Sequence, residues 1–288
     1  MKNITILGAG WLGTPLATSL LSTYDNVFAS RRTAERASEL DSLGLCGFTL
    51  DLNQPQSLTQ QLLQQQPEVV IGCFPPGFRK GLTDEYQYMW QSIVKSASEA
   101  NVKKIVMLSS TAVYPSIKPT GHPLESNQLE MQENNACLSL AKTSSLFSAN
   151  AKVMLQAEQY VIDSGLNYVV LRLSGLIGPQ RHPSRFVSKL KQVSRLAPVN
   201  MVHLTDAIRA ISYSIDSLSH EIVNVTSPHT VTKDHFYKMA LGHANEPASL
   251  LPTIVDTVDK RIMTKKLVEL GFQYQYPDVS AALESIDD

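Results

Sequence analysis

Residues 4 to 13 read Ile-Thr-Ile-Leu-Gly-Ala-Gly-Trp-Leu-Gly, a short apolar run that enters a G-x-G-x-x-G turn. An apolar pattern at helical spacing follows in Leu16, Ala17, Leu20 and Leu21. That order of strand, turn and helix constrains the fold strongly, because each glycine then has its own mechanical task. Gly8 makes the tight turn, Gly10 lets backbone approach a pyrophosphate, and Gly13 lets the helix pack close to the strand. The helix expected from about Thr14 to Leu21 aims its unpaired N–H groups and positive dipole end at the same place. Glycines at this spacing occur in purely structural turns too. The flanking strand and helix point instead to a nucleotide cofactor.

Composition narrows the setting. With 288 residues, 43% of them hydrophobic, the chain can bury a sizeable core as one large domain or two lobes. A formal net charge of −1 argues against nucleic acid or an anionic membrane as the main partner. No apolar run approaches the ~20 residues that span a bilayer. The apolar stretch near the N-terminus is a short β-branched strand broken by glycines, which predicts no secretory leader. Cys46, Cys73 and Cys137 are odd in number and widely spaced, so neither a disulfide framework nor a metal site is expected. Cys73, at a strand end, reads as a small buried hydrophobe. A cytoplasmic protein with a small-molecule substrate is the expectation.

Strand-like and helix-like runs alternate, the pattern of an α/β fold with a parallel sheet. Strands are predicted at 4–7, 26–29, 46–50, 69–73, 104–108 and 168–173, and helices at about 33–43, 54–66, 83–100 and 148–164. The glutamine-rich stretch 54–66 reads as a helix because Leu58, Leu62 and Leu63 fall at helical spacing. Phe74-Pro75-Pro76-Gly77 breaks the chain after the fourth strand. Residues 115–135, with Pro119, Gly121 and Pro123, read as a loop or lid over one end of the sheet. Beyond Gly175 the alternation stops. A loop at Gly178-Pro179, a basic helix over 184–196, a helix over 205–215 and a strand over 222–226 are predicted. Two further helices, 233–241 and 264–270, precede an aromatic tail over 271–277. The order predicts a doubly wound parallel-sheet Rossmann fold with a small C-terminal substrate lobe. Residues 1–174 with about 204–228 make the cofactor domain, and 175–203 with 229–288 make the lobe.

The chain resembles the short-chain dehydrogenase/reductase superfamily, in its atypical or extended branch of NAD(P)-dependent epimerase/dehydratase-like proteins related to nucleoside-diphosphate-sugar epimerases. The resemblance rests on Gly8-Ala9-Gly10-Trp11-Leu12-Gly13, on Asp51-Leu52, and on Leu108-Ser109-Ser110-Thr111-Ala112-Val113-Tyr114. It rests as well on Lys152, followed by Arg172-Leu173-Ser174-Gly175-Leu176-Ile177-Gly178-Pro179. It implies that Asp51 lies beside the adenine, that Ser110 is the catalytic hydroxyl, and that Lys152 holds the nicotinamide ribose. Trp11, Leu12, Leu52, Phe74 and Pro75 complete the implied cofactor set. It also implies a homodimer, built on a four-helix bundle from the helices near 83–100 and 148–164. Trp90, Ile93, Met154 and Leu155 are the candidates for its shared apolar surface.

One departure stands out. The family's active-site pattern is Y-x-x-x-K, and four residues before Lys152 stands Ser148. A phenol with a pKa near 10 can be drawn down by an ammonium to act as acid or base, whereas a serine hydroxyl needs a separate base. Ser148 therefore occupies a catalytic position without the usual chemistry, leaving Tyr114 or the loop residue His122 as other proton donors. Ser30 stands where an NAD enzyme carries an acid, and Arg31-Arg32 follow it. Guanidinium groups beside a hydroxyl suit a 2′-phosphate, which predicts NADP rather than NAD. Tyr114 and Arg181 are candidate substrate contacts with Ser110, Arg181 and Arg185 being suited to an anion. His203 and Asp206 match no metal-ligand spacing. The resulting expectation is an NADP-dependent oxidoreductase or epimerase acting on a small metabolite or sugar nucleotide. The alternative is a non-catalytic binding protein that senses NADP.

Overall fold

A computed structural model describes residues 1–52, 54–78, 81, 83–117 and 129–286. Its strands, in chain order, are β1 (Asn3–Leu7), β2 (Asn26–Arg31), β3 (Cys46–Thr49), β4 (Val69–Gly72), β5 (Lys104–Ser110), β6 (Glu130–Met131) and β7 (Asn167–Leu173). There follow β8 (Gly175–Ile177), β9 (Gln192–Ser194), β10 (Met201–His203), β11 (Glu221–Val225), β12 (Thr253–Val255) and β13 (Arg261–Ile262). Seven of them form one sheet in the order β11-β7-β5-β4-β1-β2-β3, with every neighbouring pair parallel. This is the doubly wound Rossmann arrangement, and its winding reverses between β1 and β4. Ligands of such sheets bind where the order reverses, outside the carboxyl ends of the strands.

The sheet is covered on both faces, which is why its central strands are apolar nearly throughout. Ile4, Ile6, Val106, Leu108, Val169 and Leu171 pack on one face, against Leu16 and Ala17 of helix Gly13–Ser19 and Ala210 and Ile211 of helix Leu204–Ser217. Leu7, Ile105, Met107 and Val170 pack on the other, against helices Pro55–Gln65, Thr83–Glu99 and Ala149–Ile162. Lys104 at the start of β5 fixes the end of helix Leu204–Ser217. Its buried ammonium donates to the carbonyl oxygens of Ser214 (2.7 Å), Ile215 (2.5 Å) and Leu218 (2.5 Å), acceptors that a helix end otherwise leaves unpaired. A third apolar cluster joins Ile177, Val187, Val193 and Val199 to Phe236 and Leu241 of helix Lys233–His243 and to Val279 and Leu283 of helix Val279–Glu284.

Several expectations need correction. The basic helix over 184–196 is only Ser184–Val187, and Gln192–Ser194 is a strand. Lys189 and Leu190 close the helix with N–H bonds to Phe186 and Val187, and Val193 then pairs in parallel with Ile254 of β12. Apolar spacing over 186–193 suits either structure, and a partner some sixty residues away decides it. Helix Val279–Glu284 and the short strands β6, β8, β10, β12 and β13 were not foreseen from the sequence. Trp90, Ile93, Met154 and Leu155 are each at most 2% exposed within the single chain, so they belong to its own core. The outward face of helix Thr83–Glu99 carries Gln91, Lys95 and Glu99 instead, and exposed Asp163 caps the end of helix Ala149–Ile162. The expected loop over 115–135 is described only at its two ends. His122, Pro119, Gly121 and Pro123 lie outside the described residues. No helix among the described residues is long and apolar enough to cross a membrane.

Candidate cofactor crevice and active-site wall

The glycine turn has the geometry that its spacing requires. Gly8 has φ +104°, and a Cβ there would come within 2.5 Å of the Cys73 carbonyl oxygen. The turn after β1 therefore lies directly on the end of β4. At Gly13 a Cβ would stand 2.2 Å from the Gly8 carbonyl oxygen, so helix and turn touch only because the side chain is missing. Gly10 differs from both, since a Cβ there would meet no atom within 4 Å. It faces open space, as a backbone reserved for close approach of a ligand should. Cys73 closes the turn from behind, and burial pushes its thiol pKa up to about 12, which agrees with a packing role.

Ser30 ends its part of β2 by bracing that turn. The Gly8 N–H donates to its hydroxyl (2.9 Å) and the Ala9 N–H to its carbonyl oxygen (2.8 Å). The residue in the acid's position is thus committed to the protein. Arg31 follows, half-buried, donating from Nη2 to Thr14 Oγ1 at 3.1 Å. Its Nε is buried with no hydrogen-bond partner among the described residues. A buried orphan donor is uncommon and calls for an acceptor, and this one lies beside the turn. Arg32 is exposed. The Leu50 N–H donates to the Arg31 carbonyl (2.9 Å), which brings Asp51 and Leu52 to the same end of the sheet. Leu12 is buried at the head of helix Gly13–Ser19. Phe74 stacks on Trp90 with centroids 5.3 Å apart, and Pro75 is exposed beside it. Gly72 makes room for that indole, because a Cβ there would come within 2.2 Å of it.

The wall formed by β5 and β7 is made of side chains. Ser110 ends β5, half-buried, with its hydroxyl accepting the Ala112 N–H at 3.1 Å. Ser148 is the N-cap of helix Ala149–Ile162, and its hydroxyl accepts the Ala151 N–H at 3.1 Å. Lys152 lies half-buried in the first turn of that helix, which packs against the Thr111–Val113 turn following Ser110. Tyr114 departs from its expected role. It is 3% exposed, donating to Asn224 Oδ1 at 2.7 Å and accepting from Arg172 Nη1 at 3.2 Å. Burial pushes its pKa up to about 12 despite Arg172, and its hydroxyl is taken up by these two partners.

Behind Ser110 runs a network that the sequence did not announce. Ser109 Oγ donates to Glu158 Oε1 (2.5 Å), and Glu158 takes Arg172 through Nε (3.1 Å) and Nη2 (2.7 Å). Arg172 also donates to the carbonyl oxygens of Glu133 (2.9 Å) and Ala136 (2.8 Å). The Glu133 carboxylate accepts the Asn224 N–H at 2.8 Å. The available signal was Glu158, an acid amid Met154, Leu155, Ala157 and Val161 on a buried helix face.

The substrate-side segment meets the glycine turn as well. Trp11 Nε1 donates to the Pro179 carbonyl at 2.9 Å, and the Arg181 guanidinium carbon sits 5.1 Å from the Trp11 ring centroid. His203 and Asp206 are structural. The His203 ring accepts the Thr205 N–H at 3.2 Å, and the Asp206 carboxylate accepts the N–H groups of Gln275 (2.7 Å) and Tyr276 (2.8 Å). Surface grooves of about 510 Å³ and 480 Å³ lie elsewhere, the first beside helices Gly13–Ser19 and Leu204–Ser217, the second between helices Thr83–Glu99 and Ala149–Ile162.

Comparison with known proteins agrees with this geometry. A family model described as NAD(P)H-binding matches residues 8–202. Protein YeeZ of Escherichia coli K12 is 30% identical over 287 residues, covering 96% of this chain and 97% of its own. Among solved structures, the fold is similar to the Bordetella bronchiseptica enzyme WbmH in complex with NAD+, with TM-score 0.75, 19% identity, and 99% and 97% of the two chains covered. It is similar also to the UDP-glucose 4-epimerase of Thermotoga maritima with UDP-glucose, with TM-score 0.73, 14% identity, and 98% and 96% covered.

Proposed function

Because the chain belongs to the NAD(P)H-binding family, with the fold of the epimerases and dehydratases, we propose that it is an NADP-dependent oxidoreductase or epimerase acting on a small metabolite or sugar nucleotide. The observation that carries this reading is the β1–β4 crevice, where Gly10 is open and the orphan Nε of Arg31 is buried close by. The backbone around Gly10 would take the pyrophosphate, and Arg31 with Arg32 would take the 2′-phosphate. A bound nicotinamide supplies the hydride chemistry. Lys152 would hold its ribose, and the Ser110 hydroxyl would donate to a substrate carbonyl oxygen or accept from a substrate hydroxyl. Ser110 already accepts the Ala112 N–H, which fixes its rotamer and leaves its proton to be donated.

Calorimetry tests the cofactor. NADPH should bind more tightly than NADH, and Arg31→Ala with Arg32→Ala should remove the preference. A charge-assisted contact to the phosphate contributes about 1.5–3 kcal/mol. Equal affinity of the wild type for the two cofactors would overturn the NADP assignment.

The capping role of Ser148 and the burial of Tyr114 favour a second reading, a protein that binds NADP and senses it without turnover. NADPH absorbance followed with a panel of carbonyl substrates separates the two. Oxidation, or epimerisation of a sugar nucleotide in the presence of the oxidised cofactor, supports the enzyme, and tight binding with neither reaction supports the sensor.

A further inference from the structure

We propose that Arg181 acts on the cofactor and not on the substrate: the turn Gly178–Arg181 is a clasp, anchored on Trp11, that brings a guanidinium to the pyrophosphate at the glycine turn. The inference rests on the nicotinamide-cofactor reading above.

The clasp begins with the conformation of its own turn. The Arg181 N–H donates to the Gly178 carbonyl at 2.9 Å, closing four residues with Pro179 second and Gln180 third. Gln180 has φ +62°. Proline followed by a left-handed residue is the pattern of a type II turn, whose third position favours Gly or Asn. Glutamine there is strained, and such strain persists where the surroundings over-determine it. The turn type sets the direction of the central peptide, and here the Pro179 carbonyl accepts the Trp11 indole N–H. Gly178 is required by the same contact. It has φ +155°, and a Cβ on it would come within 2.9 Å of Leu204 Cβ and 3.3 Å of the Trp11 ring.

The Trp11 ring packs against the edge of the core, but its N–H reaches beyond the core to the turn. The Trp11–Pro179 bond joins residues 168 positions apart in an exposed setting, and Pro179, Gln180 and Arg181 are all exposed. What the contact accomplishes is placement. Trp11 directly follows Gly10, and its ring holds the Arg181 cation 5.1 Å from the centroid, within cation–π range. A guanidinium can rest on an indole face while donating in its own plane to phosphate oxygens, which an ammonium cannot match. The one ligand group expected at this turn, by the geometry of Gly8, Gly10 and Gly13, is a dianionic pyrophosphate. The positive charge of Arg181 complements it.

The test measures NADPH and NADH affinities for wild type, Arg181→Met, Arg181→Lys and Trp11→Phe by calorimetry at low and high salt, with thermal melts alongside. Both dinucleotides carry the pyrophosphate, so Arg181→Met should weaken both about tenfold or more. Their ratio should not change, unlike the effect of the Arg31 and Arg32 substitutions. The salt dependence of binding should flatten, because one of the screened charges is gone. Arg181→Lys should recover part of the loss. Trp11→Phe, which keeps a ring but removes the donor, should show a smaller loss in the same direction. Melting temperatures of the two Arg181 variants should stay at the wild-type value. Wild-type affinity in Arg181→Met overturns the clasp and leaves the cofactor reading standing. A loss in Arg181→Met with unchanged salt dependence, or with a lowered melting temperature, assigns the effect to packing and overturns it also. A wild type that binds neither dinucleotide overturns the cofactor reading and the clasp together.

Discussion

At the β1 edge of the crevice the working parts are main chain, while at the β5 edge they are side chains held by other side chains. Gly8, Gly10 and Gly13 act through the Cβ that each lacks, and Ser30, Arg31, Thr14 and Trp11 add polar side-chain contacts around them. Behind Ser110, by contrast, Ser109, Tyr114, Glu133, Glu158, Arg172 and Asn224 bond to one another. The first edge is open toward a ligand and the second is closed on itself. The difference teaches where substitutions should register: in ligand affinity at the first edge and in stability at the second.

The strongest way to break that comparison is to disrupt the buried ion pair. The Glu158 and Arg172 side chains are 2% and 1% exposed. Removing one partner strands a charge away from water, and Glu158→Leu should cost about 3–5 kcal/mol in a denaturant titration. Replacing both, Glu158→Leu with Arg172→Met, should recover part of that loss, because no unpaired charge remains. A Glu158→Leu protein within 1 kcal/mol of wild type, an on-the-order-of bound well below that range, would show that the second edge is not closed in solution.

The first edge sharpens the contrast with a smaller effect of another kind. Gly10→Ala adds a methyl group that meets nothing in the protein, so its melting temperature should match wild type. Binding of the dinucleotide should weaken by about tenfold or more, roughly 1.4 kcal/mol. Gly13→Ala, whose Cβ would stand 2.2 Å from the Gly8 carbonyl oxygen, should lose both stability and binding. Equal melting losses for the two alanines would mean that Gly10 is packed as tightly as Gly13.

The same difference explains what could be read from the sequence. A turn that works by missing side chains must be written in glycines, so its spacing exposed it, and alternation of apolar runs exposed the parallel sheet. The network behind Ser110 draws on five separate segments, and no spacing links Glu133, Glu158 and Asn224 before the chain folds. The strand at Gln192–Ser194 was hidden because Phe186, Val187, Leu190 and Val193 suit a helix equally well until β12 arrives beside them. Tyr114 follows a hydroxyl-rich strand end, as a site residue would, and only its partners Asn224 and Arg172 show that it faces inward. Ser148 was legible in a different sense. A serine directly before a helical run is an N-cap signature, and Ser148 stands directly before helix Ala149–Ile162.

Ser148 supplies the smallest prediction and the one that links the two edges. It sits at φ −64° and ψ 160°, outside the helix it begins, with its hydroxyl on the Ala151 N–H. Loss of such a cap costs ~1 kcal/mol, so Ser148→Ala should melt slightly lower. Ser148→Asp should not, because aspartate caps as well as serine and its charge suits a helix N-terminus. If the cap is the whole role, dinucleotide affinity is unchanged in both variants, as is any turnover found with the carbonyl panel. Serine and aspartate are interchangeable as caps but not as proton donors at neutral pH, and this pair of variants separates the roles. Turnover lost in both, with stability lost only in the alanine variant, would return Ser148 to catalysis. Ser148→Tyr then asks the converse question. It gives up the cap but sets a phenol four positions before Lys152, so a rate above wild type in this slightly less stable protein would show that the second edge lacks only its acid–base group.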